Sequence, residues 1–308
     1  NCESPDQVRA LVDAMRAAVG RADAPVLIDQ EGGRVARLGP PHWWKPSSAS
    51  SFAALAARDL EAGAAAVRLN ARLIAADLSA LGITVDCAPV LDLRQAGSHA
   101  VIGDRAFGDT ADAVTALGRA FCEGCLAGGV LPVIKHIPGH GRATVDSHEQ
   151  LPVVDVSLQA LRETDFAPFQ ALRDMPWAMT GHVVYTAIDP DQPATTSATL
   201  IADVIRGDMG FDGVLVSDDL SMQALSGNLG ERAGAALAAG CDVVLHCNGD
   251  MDEMEAVAAA TGDLSKEAQA RLRRGAAMAS AHYHDTDAFD SEAGLARLDT
   301  MLGEGAVG

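Results

Sequence analysis

Val130-Leu131-Pro132-Val133-Ile134-Lys135-His136-Ile137-Pro138-Gly139-His140-Gly141 is the stretch that decides the fold. An apolar burst the length of a buried strand ends on two ionisable side chains. Pro and Gly then shape a loop whose backbone can approach a ligand closely. The unit recurs outward in both directions: a long helical stretch, a glycine, a short apolar strand, a polar loop. Strands are expected at residues 26–28, 83–90, 130–135, 177–180, 213–217 and 241–247. Strands alternating with long helices predict βαβ units and a parallel sheet. Nearly every strand ends in a group capable of chemistry: Asp29, Asp86 with Asp92, Lys135 with His136, His182, and Asp218 with Asp219. Polar groups gathered at the C-terminal edge of all strands mark a (β/α)8 barrel, whereas an open doubly wound sheet gathers them at one switch point.

The expected fold class is therefore α/β, a TIM-type (β/α)8 barrel. Six strands cannot close the usual eight-stranded barrel, and the sequence starts at Asn1 just before a helix, so one or two N-terminal βα units are expected to be missing from it. That first helix opens with Ser4 as cap, Pro5 in the first turn and Gln7 able to reach back. It carries Val8, Leu11, Val12, Met15 and Val19 at helical spacing and stops at Gly20. A last helix is expected from about residue 264 to 284. The barrel domain is assigned to residues 1–284, and residues 285–308 to a peripheral helix and tail.

Composition agrees with a large soluble core. The chain has 308 residues, 48% hydrophobic and 21% charged, which excludes disorder, collagen and coiled coil. Aromatics are only 4%, so helix must pack on strand through small residues, alanine above all. The net charge of −19 repels phosphate backbones and anionic lipid surfaces, so neither nucleic acid nor a membrane is expected as partner. Six cysteines are too few for a disulfide framework in a chain this long; Cys87, Cys241 and Cys247 read as reduced core thiols of a cytosolic protein. Cys122 and Cys125 have C-x-x-C spacing on a helix, with no second pair to complete a zinc site.

Three clusters carry chemistry. After the Lys135–Gly141 loop comes Asp146-Ser147-His148. In an extended loop, residues two apart point to the same side, so Asp146 would fix the tautomer of His148 and raise its basicity, as acid/base work near neutral pH requires. The same triplet is also what a local Asx turn looks like. Asp218 ends the strand Val214-Leu215-Val216-Ser217, where a rigid element would hold a nucleophile; Asp219 is expected to support the following turn. Asp29-Gln30-Glu31-Gly32-Gly33, with Arg37 beyond, suits a neutral polyhydroxylated ligand, and no nucleotide fingerprint spacing is present. Arg105, in a Gly-flanked loop, fits either a structural ion pair or a substrate clamp.

Taken together these segments resemble glycoside hydrolase family 3, and within it the single-domain β-N-acetylhexosaminidases. The matching stretches are residues 29–37, 88–92, 103–107, 135–141 with 146–148, 181–185 and 217–222, in order along most of the chain. The resemblance implies a TIM-type barrel and a retaining double displacement. It also implies exo-removal of terminal β-linked N-acetylglucosamine from peptidoglycan fragments, in cytoplasmic cell-wall recycling. By position, Asp218 would be the nucleophile and His148 the acid/base, oriented by Asp146. Asp29, Arg37, Arg105, Lys135, His136 and His182 would bind the sugar. The expected partner is a saccharide, with no cofactor and no metal. Two other classes compete. One is a metal-dependent barrel hydrolase built on His136, His140, His148, His182 and Asp218, against which Lys135 would repel a cation. The other is a non-catalytic sugar-binding protein, against which the complete set Asp146, His148 and Asp218 argues.

Overall fold

A computed structural model describes residues 2–95, 97, 100–283 and 289–303. Helix α1 (Pro5–Val19) is followed by β1 (Leu27–Ile28), α2 (Ala49–Ala56), α3 (Leu60–Ala80) and β2 (Val85–Asp86). Next come α4 (Ala111–Ala127), β3 (Leu131–Ile137), β4 (Val153–Val154), α5 (Leu158–Glu163), α6 (Ala167–Ala171), β5 (Trp177–Thr180), β6 (Val184–Tyr185) and β7 (Asp189–Pro193). A π-helical segment (Leu200–Asp208) leads into β8 (Val214–Asp219), α7 (Leu229–Ala239), β9 (Val243–Leu245), α8 (Met251–Ala260), α9 (Lys266–His282) and α10 (Ser291–Leu302). All six expected strands are present and α/β alternation holds. The strands expected at residues 83–90 and 241–247 shorten to β2 and β9, the stretches in regular register; beyond β2, single bonds still join Ala88 to Val133 and Leu91 to Lys135.

The chain folds as two compact units. The first comprises Asn1–Val90, Ala116–Val133 and Ala276–Gly308; the second comprises Leu91–Thr115 and Ile134–Gly275. Strand β3 begins in the first and ends in the second. In the first unit β1, β2 and the start of β3 pair in parallel, with Leu27 opposite Val85 and Val85 opposite Leu131. Helix α3 packs against α2, where Gly63 sits on Ala56, and against α10, where Leu69 and Leu73 sit on Gly294, while Ala71 and Ala75 lie against Gly124 and Gly128. Helix α1 starts as its sequence dictates: Ser4 Oγ accepts from the amide of Gln7 at 3.2 Å, Gln7 reaches back to the amide of Glu3 at 3.1 Å, and Gly20 ends the helix at φ +66°. Only Val8 and Val12 of its apolar set are buried; Leu11, Met15 and Val19 face outward.

In the second unit the end of β3, then β5, β8 and β9, lie side by side, with Trp177 opposite Val214 and Val216 opposite Val243. A small second sheet, β4-β6-β7, takes one strand from before β5 and two from after it in sequence, and contributes Tyr185 to the core. Helix α7 packs on α8, where Gly230 leaves room for Ala256 and Ala260, and it buries Ala233, Ala236 and Ala239. Asp242 receives Arg206 at 2.9 Å and Arg271 at 2.8 Å, so this buried carboxylate is fully paired.

Two readings need correction or fall elsewhere. Cys247 is exposed rather than core, because β9 ends at Leu245 and the chain leaves the sheet before the thiol; Cys87 and Cys241 are buried as expected. The expected boundary between residues 284 and 285 lies outside the described residues; within residues 285–308, α10 packs on α3 and buries Leu298. Among the described residues no helix is long and apolar enough to cross a membrane.

Candidate active site

Strand β3 is buried along its whole length and carries Lys135 and His136 into the second unit. The following turn is held at both ends by one carboxylate. Asp92 Oδ2 lies 2.7 Å from His136 Nδ1, and Asp92 Oδ1 accepts the amides of His136 at 3.3 Å and His140 at 2.6 Å. Burial pushes the Asp92 carboxyl upward, but the His136 ring and the ring and amide of His140 outweigh it and hold the group below its ordinary value. With its Nδ1 tied to Asp92, the His136 ring keeps one orientation and has Nε2 left for other work.

The turn has no room for side chains at its two glycines. A Cβ on Gly141 would come within 2.0 Å of the Leu93 carbonyl oxygen, and Gly139, at φ +138°, would meet the Asp165 carbonyl at 2.9 Å. Tyr185 from β6 donates its hydroxyl to the Gly139 carbonyl at 2.6 Å. Asp165, which backs Gly139, accepts from Arg142 at 2.6 Å and from Thr164 at 2.7 Å.

Strand β8 places Asp218 after four buried residues, half-buried itself. Its Oδ1 accepts the amide of Asp219 at 2.9 Å. Burial would raise its pKa, but His136, His182, the Asp219 amide and Lys135 together bring it below the ordinary carboxylate value. The group is therefore an anion at neutral pH, as a nucleophile must be. Asp219 does the supporting work expected of it, accepting from the amide and hydroxyl of Ser221 at 3.0 and 2.5 Å and from the amide of Cys247 at 3.2 Å.

His182 is fully buried. Its Nε2 lies 3.0 Å from the Asp219 carbonyl, which can only accept, so the proton sits on Nε2; Nδ1 lies 2.7 Å from Thr195 Oγ1. Burial lowers its pKa, so the neutral ring accepts from Thr195 and donates to the backbone just after Asp218. Both ring nitrogens are thus engaged within the protein.

The segment after the turn is different in kind. Asp146, Ser147 and His148 do not form an extended loop: the amides of Glu149 and Gln150 both donate to the Asp146 carbonyl at 2.9 Å, which makes a tight turn. Asp146 Oδ1 accepts the amide of His148 at 2.9 Å and lies 2.8 Å from its Nδ1. The Asx turn and the carboxylate–imidazole pair are one structure, formed by a single oxygen. The His148 side chain is 65% exposed, so its Nε2 edge is open to solvent.

Arg105 lies half-buried in the 3-10 turn Gly103–Arg105, with Nη1 3.2 Å from the Val101 carbonyl. Asp29 and Arg37 belong to the first unit and pair with each other at 3.1 Å. Gln30 sets their spacing: its Oε1 accepts the amides of Arg37 and Leu38 at 2.8 and 3.0 Å, and its own amide donates to Asp86 at 3.0 Å. The sequence reading left Asp92, Gln30 and Asp86 without roles. All three act through backbone amides, and only the strand-end positions of Asp86 and Asp92 signalled them. Among the described residues no group of three or more His, Cys, Asp or Glu side chains is arranged to hold a metal ion.

Residues 1–277 match the glycosyl hydrolase family 3 N terminal domain. A β-hexosaminidase of Alkalilimnicola ehrlichii is 43% identical over 252 residues, 80% of this chain and 71% of the relative. That of Pseudomonas aeruginosa is 39% identical over 290 residues, 93% of this chain and 83% of the relative. Among solved structures, NagZ from Neisseria gonorrhoeae in complex with N-trifluoroacetyl-D-glucosamine matches with TM-score 0.84 at 31% identity, covering 98% of this chain and 88% of that one. A family 3 β-N-acetylglucosaminidase from a Paenibacillus strain matches with TM-score 0.80 at 32% identity over 94% of this chain, which spans 56% of that longer protein.

Proposed function

The chain belongs to glycosyl hydrolase family 3, and from that premise we propose that it is an exo-acting, retaining β-N-acetylglucosaminidase. Its substrates are peptidoglycan fragments with a terminal β-linked N-acetylglucosamine, processed in the cytoplasm during cell-wall recycling, and its parallel strands are those of a TIM-type barrel. The family match and the β-hexosaminidase relatives support the activity, and the NagZ complex with a glucosamine derivative supports the sugar. One observation carries the residue assignment. A single unit holds an ionised strand-end carboxylate, framed by Lys135, His136 and His182, together with an exposed histidine paired to an aspartate on a loop.

In this reading the Asp218 carboxylate attacks the anomeric carbon while His148 gives its proton to the departing glycosidic oxygen. The C–O bond to the leaving group breaks and an ester bond to Asp218 forms. His148, now neutral, removes a proton from water, which attacks the same carbon and releases Asp218; two inversions give retention. Using histidine in place of the usual second carboxylate avoids a second carboxylate near Asp218, and Asp146 orients the ring through Nδ1. Lys135, His136 and Arg105 bind sugar hydroxyls, while His182 walls the pocket and fixes the backbone after Asp218.

Hydrolysis of 4-nitrophenyl β-N-acetylglucosaminide beside 4-nitrophenyl β-glucoside tests the proposal. Preferential cleavage of the N-acetyl substrate, with retained anomeric configuration in the first-formed product, is the expected result. Equal or preferential cleavage of the glucoside, or an inverted product, would overturn it.

A further inference from the structure

Residues 144–150 are exposed or half-exposed except Ser147, which is buried. Its Oγ lies 3.3 Å from Nε2 of His140, and its carbonyl accepts the amide of Ala224 at 3.2 Å, on the segment that follows β8. The turn locks Asp146 and His148 to each other, and the residue between them reaches into the buried interior. His140 in turn is buried, its amide is held by Asp92, and its ring meets the His136 ring edge to face at 5.7 Å.

His140 has no place in the chemistry proposed above. Its Nδ1 has no hydrogen-bond partner, and the charged or titratable groups acting on it are Asp92, His136 and Asp218. Burial lowers its pKa to about 4, so the ring is neutral when the enzyme works and holds Ser147 through a neutral hydrogen bond. At 3.3 Å the bond is at the long end of the hydrogen-bond range.

We propose that the His140–Ser147 contact is a pin that docks the His148-bearing turn, making both residues positioning residues for proton transfer to the leaving group. The pin ties the turn to Asp92, the same carboxylate that orients His136. One buried anion thereby sets the sugar-binding frame and the docking point of the acid/base together. The inference rests on the glycosidase reading for its kinetic consequence, but not for its structural one.

The test uses the whole chain and two leaving groups, 2,4-dinitrophenol and the sugar of N,N'-diacetylchitobiose. The first departs without protonation; the second needs it. Ser147→Ala should lower kcat/KM on the disaccharide about five- to tenfold, the factor that one lost hydrogen bond of about 1 kcal/mol allows. On the dinitrophenyl substrate kcat/KM should fall less than twofold, and Ser147→Thr, which restores a hydroxyl, should recover most of the loss. His140→Gln, which keeps an amide facing Ser147, should be milder than His140→Leu on the same split. Equal losses on both leaving groups, or none on either, would overturn the pin. If the wild type cleaves neither substrate, the glycosidase reading fails instead. Hydrogen exchange then still decides the pin: amides of residues 144–150 must exchange faster in Ser147→Ala than in wild type, and unchanged protection would refute it.

Discussion

The C-terminal end of β8 and the turn at residues 146–148 carry the two halves of one proposed reaction, yet they are built on opposite plans. Asp218 follows four buried strand residues, accepts a backbone amide, and lies among Lys135, His136 and His182, which with that amide hold it below the ordinary carboxylate value. His148 is 65% exposed on a turn whose internal bonds run to the carbonyl and one carboxylate oxygen of Asp146. The contrast follows from what each group must do. A nucleophile gains from a fixed approach to one carbon and from preorganised charge. An acid that later serves as a base must meet a leaving group on one step and admit water on the next. Rigidity at β8 and local autonomy at the turn are thus complementary solutions within one unit.

Asp218→Asn breaks the first half outright. The amide cannot form the glycosyl ester, and every partner that stabilised the anion remains in place, so kcat should fall by about four orders of magnitude or more on all leaving groups. A residual rate within about a hundredfold of wild type, measured after excluding deamidation by mass spectrometry, would assign the nucleophile elsewhere.

His148→Ala breaks the second half selectively. On N,N'-diacetylchitobiose kcat/KM should drop by about 10²–10⁴-fold, the range for loss of a positioned proton donor. On the dinitrophenyl glycoside kcat/KM should be nearly unchanged, while kcat falls because water is no longer activated. Added azide should restore turnover by attacking the glycosyl enzyme directly. A uniform loss on both substrates, without azide rescue, would make His148 a structural residue and erase the distinction between the two regions.

The β8 half was the more legible in sequence. A run of apolar residues ending on Asp218-Asp219 announces its own geometry, because strand burial fixes where the end must point, and the expected division of labour between the two aspartates is what the bonds of Asp219 describe. The turn was legible in its residue types and, through its Asx pattern, in its shape. An extended chain and an Asx turn are alternative ways to set Asp146 beside His148, and the tight turn is the one formed; the short polar side chain that makes it is the same one that orients the imidazole. Asp92 and His140 stood in plain view within the motif segments, yet their work is done on amides and on a neighbour's hydroxyl. Side-chain chemistry can be read from residue type; service to the backbone depends on tertiary placement, for which one sequence has no marker.

Acidity separates the two units in another way. His140, with a pKa lowered by burial to about 4, stays neutral in the folded state after the unfolded imidazole has begun to protonate near 6.5. Its contribution is complete above pH 6.5 and is lost as pH falls to 4, by about 3 kcal/mol. Asp77, in the first unit, is raised by burial to about 6 against an ordinary 3.8, with a hydrogen bond from Trp44 opposing. The folded carboxyl takes its proton first, so this group adds stability as pH falls from 6 to 4, by a similar amount. Asp77→Asn should therefore steepen the acid loss of stability relative to wild type, and His140→Gln should flatten or reverse it. Urea midpoints between pH 4 and 7 that shift in parallel for both variants would contradict this opposition.

The smallest effect probes the rigid frame itself. Tyr185→Phe removes the hydroxyl that the Gly139 carbonyl accepts at 2.6 Å and leaves that buried acceptor unpaired, at a cost of about 1–2 kcal/mol. The melting temperature should drop by about 2–4 °C. Tyr185 supports the turn between His136 and His140, where sugar binding is proposed, so any kinetic loss should appear equally with good and poor leaving groups. That pattern is the opposite of the one expected for Ser147→Ala. Were Tyr185→Phe to act only on poor leaving groups, the frame would be acting through the His148 turn, and the two regions would be a single cooperative element.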